Sequence, residues 1–392
     1  TLQAMEKRWT IEQNGDEEII QNLSKSLNIN KVLSKLLVDR GIENFEEARK
    51  FFRPTLDDLY DPFLMLNMDK AVERLNKAIQ NEENILIYGD YDIDGTTSVS
   101  LVYSYLKEFY PHIDFYIPDR YEEGYGISTQ GIDFAFENNK TLIIALDCGI
   151  KAVSKVKYAN EKNIDFIICD HHLPGDELPP AVAVLDPKQS DCLYPFKELS
   201  GCGVGFKLMQ AYSISNKIPF ARLFSYLDLV AISIAADMVK IIDENRILAY
   251  FGLKEINENP RSGIECILEY SNIKRLKNNT LTKNVFEKEL SISDLVFTVA
   301  PRINAAGRMD SGKKSVELLN CIHVEIAKDI ASNIDDHNSD RRTMDTDITK
   351  EALEIIEDSS FLQNSISTVV FKDGWHKGVL GIVASRLIES HY

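Results

Sequence analysis

The 392-residue sequence has no apolar run that approaches the roughly twenty residues needed to span a membrane. Residues 1–9 also lack the apolar segment typical of a signal peptide. No internal repeat or low-complexity tract stands out, which argues against a solenoid or a disordered chain. These absences favour a cytoplasmic protein of two or three globular domains, each long enough to bury a core of its own.

The sequence also lacks any Cys-x-x-Cys pair. Its six cysteines are scattered, so they indicate neither a zinc ribbon nor a disulfide framework. The default interpretation is that these cysteines are reduced and have structural roles. They are Cys148, Cys169, Cys192, Cys202, Cys266 and Cys321.

An excess of positive charge is missing as well. The formal net charge is −17 at pH 7, and proteins that wrap nucleic acid electrostatically normally carry a basic footprint. A local basic slot remains compatible with this composition, because bound divalent cations or a few converging arginines could form one inside an acidic protein.

Short apolar runs rich in β-preferring residues alternate with helical patterns through the first half of the chain. This alternation predicts an α/β fold with a doubly wound parallel sheet. The predicted strands are 84–88, 113–117, 141–146, 164–169 and 181–185, and the predicted helices are 96–109, 128–139 and 151–162.

Four units follow from the pattern. Residues 1–68 form a helical N-terminal lead-in packed on the next unit, and residues 69–320 form the main α/β domain with a helical C-terminal part. Residues 321–360 predict a long connector helix with Ile322, Ile326, Ile330 and Ile334 on one stripe. Residues 361–392 read as the incomplete start of a second, smaller α/β domain, with a strand at 367–371 and a helix that opens at 375–386.

The predicted strand at 84–88 stops at a turn that contains Asp90, Asp92, Asp94 and Gly95. Thr96 or Thr97 could cap the helix that follows. Converging carboxylates repel unless a cation offsets their charge, so the turn suggests a divalent metal site. An EF-hand loop does not fit, because its twelfth position is Leu101 instead of a bidentate Glu. The turn alone fits a metal site and a solvated acidic loop equally well.

Two further predicted strands are also followed by carboxylate or imidazole side chains. Asp147 directly follows the strand at 141–146. Asp170, His171 and His172 directly follow the strand at 164–169. Parallel strands put their carboxyl ends on one edge, so these groups can meet there. Oxygen ligands with one or two imidazoles suit Mn²⁺ or Mg²⁺ better than structural zinc, and two ions that share a carboxylate are a device for phosphoryl chemistry.

These residues carry a family resemblance that covers nearly the whole chain. The chain resembles the DHH phosphoesterase superfamily and, within it, the RecJ single-stranded-DNA exonucleases. Four ordered motifs carry the superfamily resemblance, at 90–95, 147–149, 170–172 and 235–237, and further stretches similar to RecJ lie at 118–120, 123–126, 199–206, 301–308 and 374–386.

The resemblance implies a site with two Mn²⁺ or Mg²⁺ ions, in which Asp147 bridges and Asp170 hydrogen-bonds a histidine. Many superfamily members have a histidine where this chain has Tyr88, so Asp90 or water could take that ligand position. His172 is expected to face the substrate phosphate and to share the catalytic role of the main ligands. Those ligands are Asp92, Asp94, Asp147, His171 and Asp237.

Substrate contacts are also implied by similarity. Arg120 would hold the 5′ end of the substrate, and Arg302 or Arg308, with Asn304, would contact a phosphate near the cut. Surface ion pairs are the ordinary alternative for each arginine. Tyr125 could stack on a base or belong to the core, and His376 could contact substrate or begin a helix. The glycine-rich stretch 201–205 could present amides to phosphate.

The activity implied is 5′→3′ degradation of single-stranded DNA to 5′-mononucleotides, in DNA repair and recombination. A single-stranded-DNA-binding protein and a helicase are the implied partners. RecJ relatives add a Ser/Gly/Arg-containing stretch and an oligonucleotide-binding fold that residues 1–392 do not include. Two alternatives stay open, a DHH phosphodiesterase for short RNA or cyclic dinucleotides and a replication scaffold without metals.

Overall fold

The computed structural model describes residues 8–10, 15–276, 283–309, 311–363 and 365–390. Its centre is a five-stranded sheet of order β2-β1-β3-β4-β5, in which all neighbouring strands are parallel. The predicted α/β fold class is thereby confirmed. The strands are β1 Asn84–Gly89, β2 Ile113–Tyr116, β3 Lys140–Leu146, β4 Asp165–Cys169 and β5 Ala183–Leu185.

Helices surround the sheet and continue after it. Short 3₁₀ turns lie at Leu56–Asp58 and Pro62–Leu64, and a π-helical segment lies at Leu295–Val299. The α-helices are α1 Glu17–Leu27, α2 Lys31–Val38, α3 Phe45–Phe52, α4 Met68–Gln80, α5 Ile93–Lys107, α6 Thr129–Glu137, α7 Val153–Glu161, α8 Gly201–Ser215, α9 Ala221–Phe224, α10 Leu227–Ala236, α11 Asp243–Glu258, α12 Ser262–Tyr270, α13 Ile292–Asp294, α14 Ala300–Met309, α15 Gly312–Leu319, α16 Val324–Glu357, α17 Ser360–Gln363 and α18 Leu380–Ser390.

The sheet is buried on both faces because its central strands are apolar at successive positions. In β1, Ile85 and Ile87 point into the larger core, which α4, α5, α8 and α10 complete. Leu86 and Tyr88 point into a smaller core on the opposite face, next to α6 and α7. This arrangement follows from the alternation of side chains along a strand.

The N-terminal helices α1–α3 have a small core of their own, which includes Leu23, Leu37 and Ala48. They are joined to the rest of the chain through α11, where the Arg246 guanidinium lies 3.6 Å from the centre of the Phe51 ring and donates from Nε to the Phe51 carbonyl at 2.6 Å. Helix α3 therefore packs on α11.

The strand predicted at 367–371 is wrong. Residues 365–379 contain no strand, and Val369 and Phe371 are 81% and 78% exposed. An apolar run of this length needs a neighbouring strand to satisfy its backbone, and the described residues offer none. The helix expected to open at Trp375 begins instead at Leu380.

The long helix is present as α16, but its predicted isoleucine stripe is only partly correct. Ile334 is buried with Ala327 and Ala331, whereas Ile322 and Ile326 are exposed. Ile322 precedes the helix, and the buried face of the helix runs instead through Ala327, Ala331 and Ile334. None of the helices in the described ranges is both long and apolar enough to cross a bilayer.

Candidate metal centre

The acidic turn begins where β1 ends, and each of its carboxylates has a different role. Asp90 is buried. Asp92 is the N-cap of α5, since its Oδ1 accepts a hydrogen bond from the Gly95 amide at 3.0 Å. The predicted cap at Thr96 or Thr97 is therefore wrong, because both hydroxyls donate back to carbonyls of the first turn.

Asp94 is buried in the first turn of α5 and is held by the N-terminus of α8. Its carboxylate accepts from the amides of Gly201 and Cys202, each at 2.8 Å, and from Ser233 Oγ at 2.7 Å. The glycine-rich stretch 201–205 thus forms the start of α8 and directs its first amides at Asp94. The idea that these amides bind substrate phosphate has no support in this arrangement.

Asp147 and His171 approach each other at the edge of the sheet. Asp147 follows β3 with a left-handed φ of 58°, and its Oδ1 lies 3.2 Å from His171 Nε2. Both atoms are buried, and neither has hydrogen-bond geometry to any partner in the described residues. His171 Nδ1 donates to the Leu199 carbonyl at 3.1 Å, so its Nε2 carries the lone pair.

Further carboxylates complete the cluster around His171. Its Nε2 lies 3.7 Å from Asp94 Oδ2 and 3.7 Å from Asp237 Oδ2. Ligand atoms of Asp94, His171 and Asp237 fall within 4.8 Å of one another, as do those of Asp147, His171 and His172. Unpartnered buried oxygen and nitrogen atoms that face one another are what a divalent cation would satisfy, so these residues fit a metal.

The electrostatics of the cluster agree with this fit. Burial, followed by neighbouring carboxylates, raises the pKa of Asp90 to about 7 and that of Asp237 to about 7. The same causes raise the pKa of Asp92 and hold that of Asp147 well above its usual range. Burial lowers the pKa of His171, which favours the neutral imidazole that metals bind.

Asp170 orients the second histidine. Its Oδ1 accepts from His172 Nδ1 at 2.7 Å and from the His171 and His172 amides, and its Oδ2 accepts from the Ile150 amide. Burial is the largest influence on Asp170 and opposes its ionisation, but the hydrogen bond and charge of His172 and the amide hydrogen bonds together lower its pKa. The same bond raises the pKa of His172, whose Nε2 lies 3.3 Å from the Tyr125 hydroxyl.

Tyr88 does not replace the histidine found in many superfamily members. It faces the smaller core, where its hydroxyl donates to the Gly126 carbonyl at 2.9 Å and accepts from the Ser128 amide at 3.1 Å. Asp90 Oδ1 accepts from the Gly126 amide, whereas its buried Oδ2 has no partner in the described residues. Asp90 is therefore better placed than Tyr88 to supply an additional ligand.

Arg120 and Arg308 lie beside the acidic turn, and Arg341 lies close to Arg308. Arg308 donates from Nη1 to the Gly378 carbonyl at 2.8 Å, and Arg120 lies 5.0 Å from the centre of the Tyr91 ring. Burial, followed by the charges of Arg120 and of Arg341 from α16, lowers the pKa of Arg308. We call Arg120, Arg308 and Arg341 the arginine cluster.

Arg302 and Asn304 do not join it. Arg302 pairs through Nε with Asp335 at 2.7 Å and donates to the Thr298 carbonyl. Asn304 Oδ1 accepts from the Ile93 amide at 3.0 Å and so supports the acidic turn. Both side chains have partners within the protein, and the substrate-binding role expected of them stays a prediction.

Two other predicted contacts lie at the surface of the site. Tyr125 is 58% exposed, which removes the alternative of a core tyrosine. His376 lies beside Tyr121, with ring centres 5.8 Å apart, and its Nδ1 accepts from the Gly378 amide. His376 precedes α18 by four residues and does not begin a helix.

Sequence reasoning missed four residues near the site. Asp186 follows β5 directly, as Asp147 follows β3, and its buried Oδ2 has no partner in the described residues. That repetition was a usable signal. Ser233, Arg341 and Lys188 gave none, because their position near the cluster depends on packing between distant helices and loops.

The sheet edge, with its carboxylates and its neutral histidine, defines an α/β protein of the class that holds divalent cations at the ends of parallel strands. Residues 84–234 match the model of the DHH family, N-terminal domain. Over these residues the chain is similar to this family, and the curated relatives that it matches include exonucleases named RecJ.

Two curated relatives show the extent of the likeness. The single-stranded-DNA-specific exonuclease RecJ of Bacillus subtilis is 40% identical over 389 residues, which cover 99% of this chain and 47% of the relative. RecJ of Escherichia coli is 34% identical over 91% of this chain and 62% of the relative. The chain thus spans between about half and two thirds of the length of these relatives.

Solved structures of RecJ have a fold similar to that of this chain. A crystal structure of exonuclease RecJ bound to manganese is 26% identical, with a TM-score of 0.72 over 85% of this chain and 79% of that chain. RecJ of Thermus thermophilus in complex with Mn²⁺ is 23% identical, with a TM-score of 0.80 over 98% of this chain and 52% of that chain, and shows the shared fold.

Proposed function

We propose that the chain is a metal-dependent phosphodiesterase that degrades single-stranded DNA from its 5′ end and releases 5′-mononucleotides. The observation that carries this proposal is the pair of buried, unpartnered atoms Asp147 Oδ1 and His171 Nε2, 3.2 Å apart. The names of the relatives, which are single-stranded-DNA-specific exonucleases, supply the substrate class.

The proposed cofactor is a pair of Mn²⁺ or Mg²⁺ ions with Asp147 shared between them. When bound, the ions supply Lewis acidity for the in-line attack of water on phosphorus and for departure of the 3′-oxygen. The manganese-bound RecJ structure supports this choice of metal. The proposed ligands are Asp92, Asp94, Asp147, His171 and Asp237, with Asp90 as an additional one.

The remaining residues bind and orient the substrate in this proposal. His172, fixed by Asp170, directs its Nε2 side toward a non-bridging phosphate oxygen, and its raised pKa favours the charged form that offsets negative charge there. Arg120 and Arg308 hold phosphates through planar guanidinium groups, which suit paired oxygens. Tyr125 offers an exposed ring for stacking on a base, and His376 extends the same surface.

We also propose the four-unit division, with the main domain at 69–320 and the connector at 321–360. Contacts of α16 support the last unit, because Ile348 and Ala352 pack with Val379 and Val383 of the segment 361–390. The Trp375 indole donates to Glu351 of α16 at 2.8 Å. A role in DNA repair and recombination, with a single-stranded-DNA-binding protein and a helicase as partners, belongs to the same proposal.

The test is digestion of oligonucleotides labelled at the 5′ or the 3′ end, single-stranded or duplex, with Mn²⁺, Mg²⁺ or a chelator. We expect metal-dependent release of labelled mononucleotide from 5′-labelled single strands. Parallel reactions with short RNA and cyclic dinucleotides address the alternative, which faster turnover of those substrates would favour.

Asp147→Ala is the decisive variant, and Asp191→Ala, an exposed carboxylate, is its control. We expect Asp147→Ala to lose at least about a thousandfold in rate, because it removes the shared ligand, while its circular dichroism stays that of the folded chain. Near-normal activity of this folded variant would contradict the proposal.

A further inference from the structure

The three N-terminal helices leave an apolar groove open to solvent, with a cavity volume of about 690 Å³. Leu33 and Leu36 from α2 and Phe45 and Phe52 from α3 line it, and these four side chains are between 45% and 59% exposed. Soluble proteins seldom leave large apolar side chains grouped at the surface without a ligand or partner. The groove is therefore a candidate docking surface.

The polar lining of the groove is cationic. Arg40, Arg49 and Arg53 line it, and no carboxylate does. Arg49 pairs with Glu46 and Asp58, and Arg40 donates to the Leu36 carbonyl. Arg53 makes no ion pair within the part of the chain that the structure describes.

The charge of this region differs from that of the rest of the molecule. Residues 15–53 contain seven Lys and Arg and seven Asp and Glu, whereas the whole chain carries −17. An acidic partner is repelled by most of the surface and meets its least unfavourable field here, where Arg40 and Arg53 have no carboxylate partner among the described residues. The charge pattern therefore favours a negatively charged occupant of the groove.

We propose that the groove binds an acidic amphipathic peptide segment of another protein. Its leucine or phenylalanine side chains fill the groove between α2 and α3, and its carboxylates pair with Arg40 and Arg53. A helix laid into an apolar groove is a common mode of peptide recognition, and a cavity of this size holds several such side chains. The contacts of the half-buried Arg246 with Phe51 hold the groove against α11.

The test uses a short fluorescein-labelled peptide in which acidic pairs alternate with Leu-Phe pairs, and two matched peptides. One replaces every acidic residue by Lys, and the other replaces every Leu and Phe by Ser. We expect saturable binding of the acidic peptide in fluorescence anisotropy, and binding at least about tenfold weaker for each matched peptide. The affinity should fall as salt rises to about 0.5 M, because exposed charges are screened.

Variants locate the binding on the chain. Arg53→Glu and Leu36→Ser should each weaken binding of the acidic peptide by at least about fivefold. Lys77→Glu and Leu193→Ser, exposed residues outside the groove, are the matched controls and should leave it unchanged. All four variants should keep the thermal midpoint and the nuclease activity of the parent chain, so this proposal and the proposed function fail separately.

Five outcomes would overturn the proposal. The first four are absence of saturable binding, equal binding of the basic peptide, insensitivity to both groove variants, and loss of a dimer in sedimentation when Leu36→Ser is introduced, which would make a second copy the occupant. Deletion of residues 1–14 tests the chain itself as occupant. A gain of more than about tenfold in affinity on that deletion would assign the groove to the N-terminal segment.

Discussion

The carboxylates of the candidate metal centre oppose folding of the metal-free chain, because they are buried next to one another. Asp147 and Asp90 each hold a buried oxygen without a partner in the described residues. Leaving such an oxygen unsatisfied costs about 1–3 kcal/mol. At the residue scale, the carboxylates that fit a cation therefore lower the folding stability of the metal-free chain.

Asp186 offers a test of such a cost away from the proposed ligands. Burial raises its pKa to about 7 from an ordinary 3.8. Between these values the folded chain holds a proton that the unfolded chain releases, so stability falls as pH rises through this window. Asp186→Asn should remove this contribution to the pH slope, so its unfolding free energy relative to the parent chain should rise by about 1–3 kcal/mol between pH 5 and pH 8.

Urea unfolding in the presence of a chelator, at about pH 5 and about pH 8, measures this difference. Asp191→Asn, an exposed carboxylate in the same loop, is the matched control and should retain the parent's pH dependence. An unchanged slope in Asp186→Asn would mean that the buried carboxyl is paired in solution.

Sequence reasoning identified residues whose position follows from the backbone and missed those whose position follows from packing. Asp147 and His171 were predictable because each comes directly after a strand of a parallel sheet. Tyr88 was predictable in principle, since alternation along β1 turns it to the smaller core, together with Leu86. The partner of Arg302 was not predictable, because Asp335 belongs to a helix 33 residues further along the chain.

At the scale of elements, the start of α8 supports two residues of the centre at once. Its first amides bind Asp94, and Gly201 packs directly on Asp147. A Cβ atom at Gly201 would lie 2.6 Å from both Asp147 Cβ and Asp147 Oδ1. Only glycine allows this approach.

Gly201→Ala should therefore move either Asp147 or the helix. We expect a loss of about 1–3 kcal/mol in the free energy of unfolding and at least about tenfold weaker metal binding, measured by calorimetry with Mn²⁺. Gly203→Ala is the control in the same turn, because its Cβ would meet only side chains at 3.4 Å or more. It should be neutral or stabilise the helix by up to about 1 kcal/mol. Equal effects of the two substitutions would contradict this account.

Elements with their own periodic signal were predicted well. Each of the five strands came within two residues of its observed ends, because continuous apolar runs between turn residues mark buried strands. The strand expected at 367–371 has the same composition but no partner strand among the described residues. Local pattern alone cannot supply the second strand that a ladder requires.

At the scale of the whole molecule, a buried ion pair connects the segment around Tyr60 to helices α8 and α11. Lys207 and Glu244 are fully buried and 2.7 Å apart. Glu244 also accepts from the Tyr60 amide at 3.0 Å and from the Tyr194 hydroxyl at 2.6 Å, while Lys207 donates to the Tyr60 carbonyl at 2.8 Å. Both backbone groups of Tyr60 are thus held by one pair.

Glu244→Ala should cost about 3–5 kcal/mol, because it leaves the Lys207 ammonium buried without a counter-charge. Glu244→Gln keeps an acceptor oxygen and should cost less. Urea unfolding gives the free energies, and limited trypsin digestion should show earlier cleavage within residues 15–62. Lys254→Ala, an exposed position of the same helix, is the control. Unchanged stability of Glu244→Ala would show that water reaches Lys207.

Metal binding should stabilise the entire fold, because the proposed ligands come from the start of α5, the turns after β1, β3 and β4, and the end of α10, which lie far apart in the chain. A cation bound only by the folded state adds about 2.7 kcal/mol at one hundred times its Kd, so the thermal midpoint should rise with Mn²⁺ concentration. Asp147→Asn should begin with a higher midpoint in chelator, since one buried charge is gone, and should respond little to Mn²⁺. Asp191→Asn should respond as the parent does. Equal responses of Asp147→Asn and the parent would place the bound metal elsewhere.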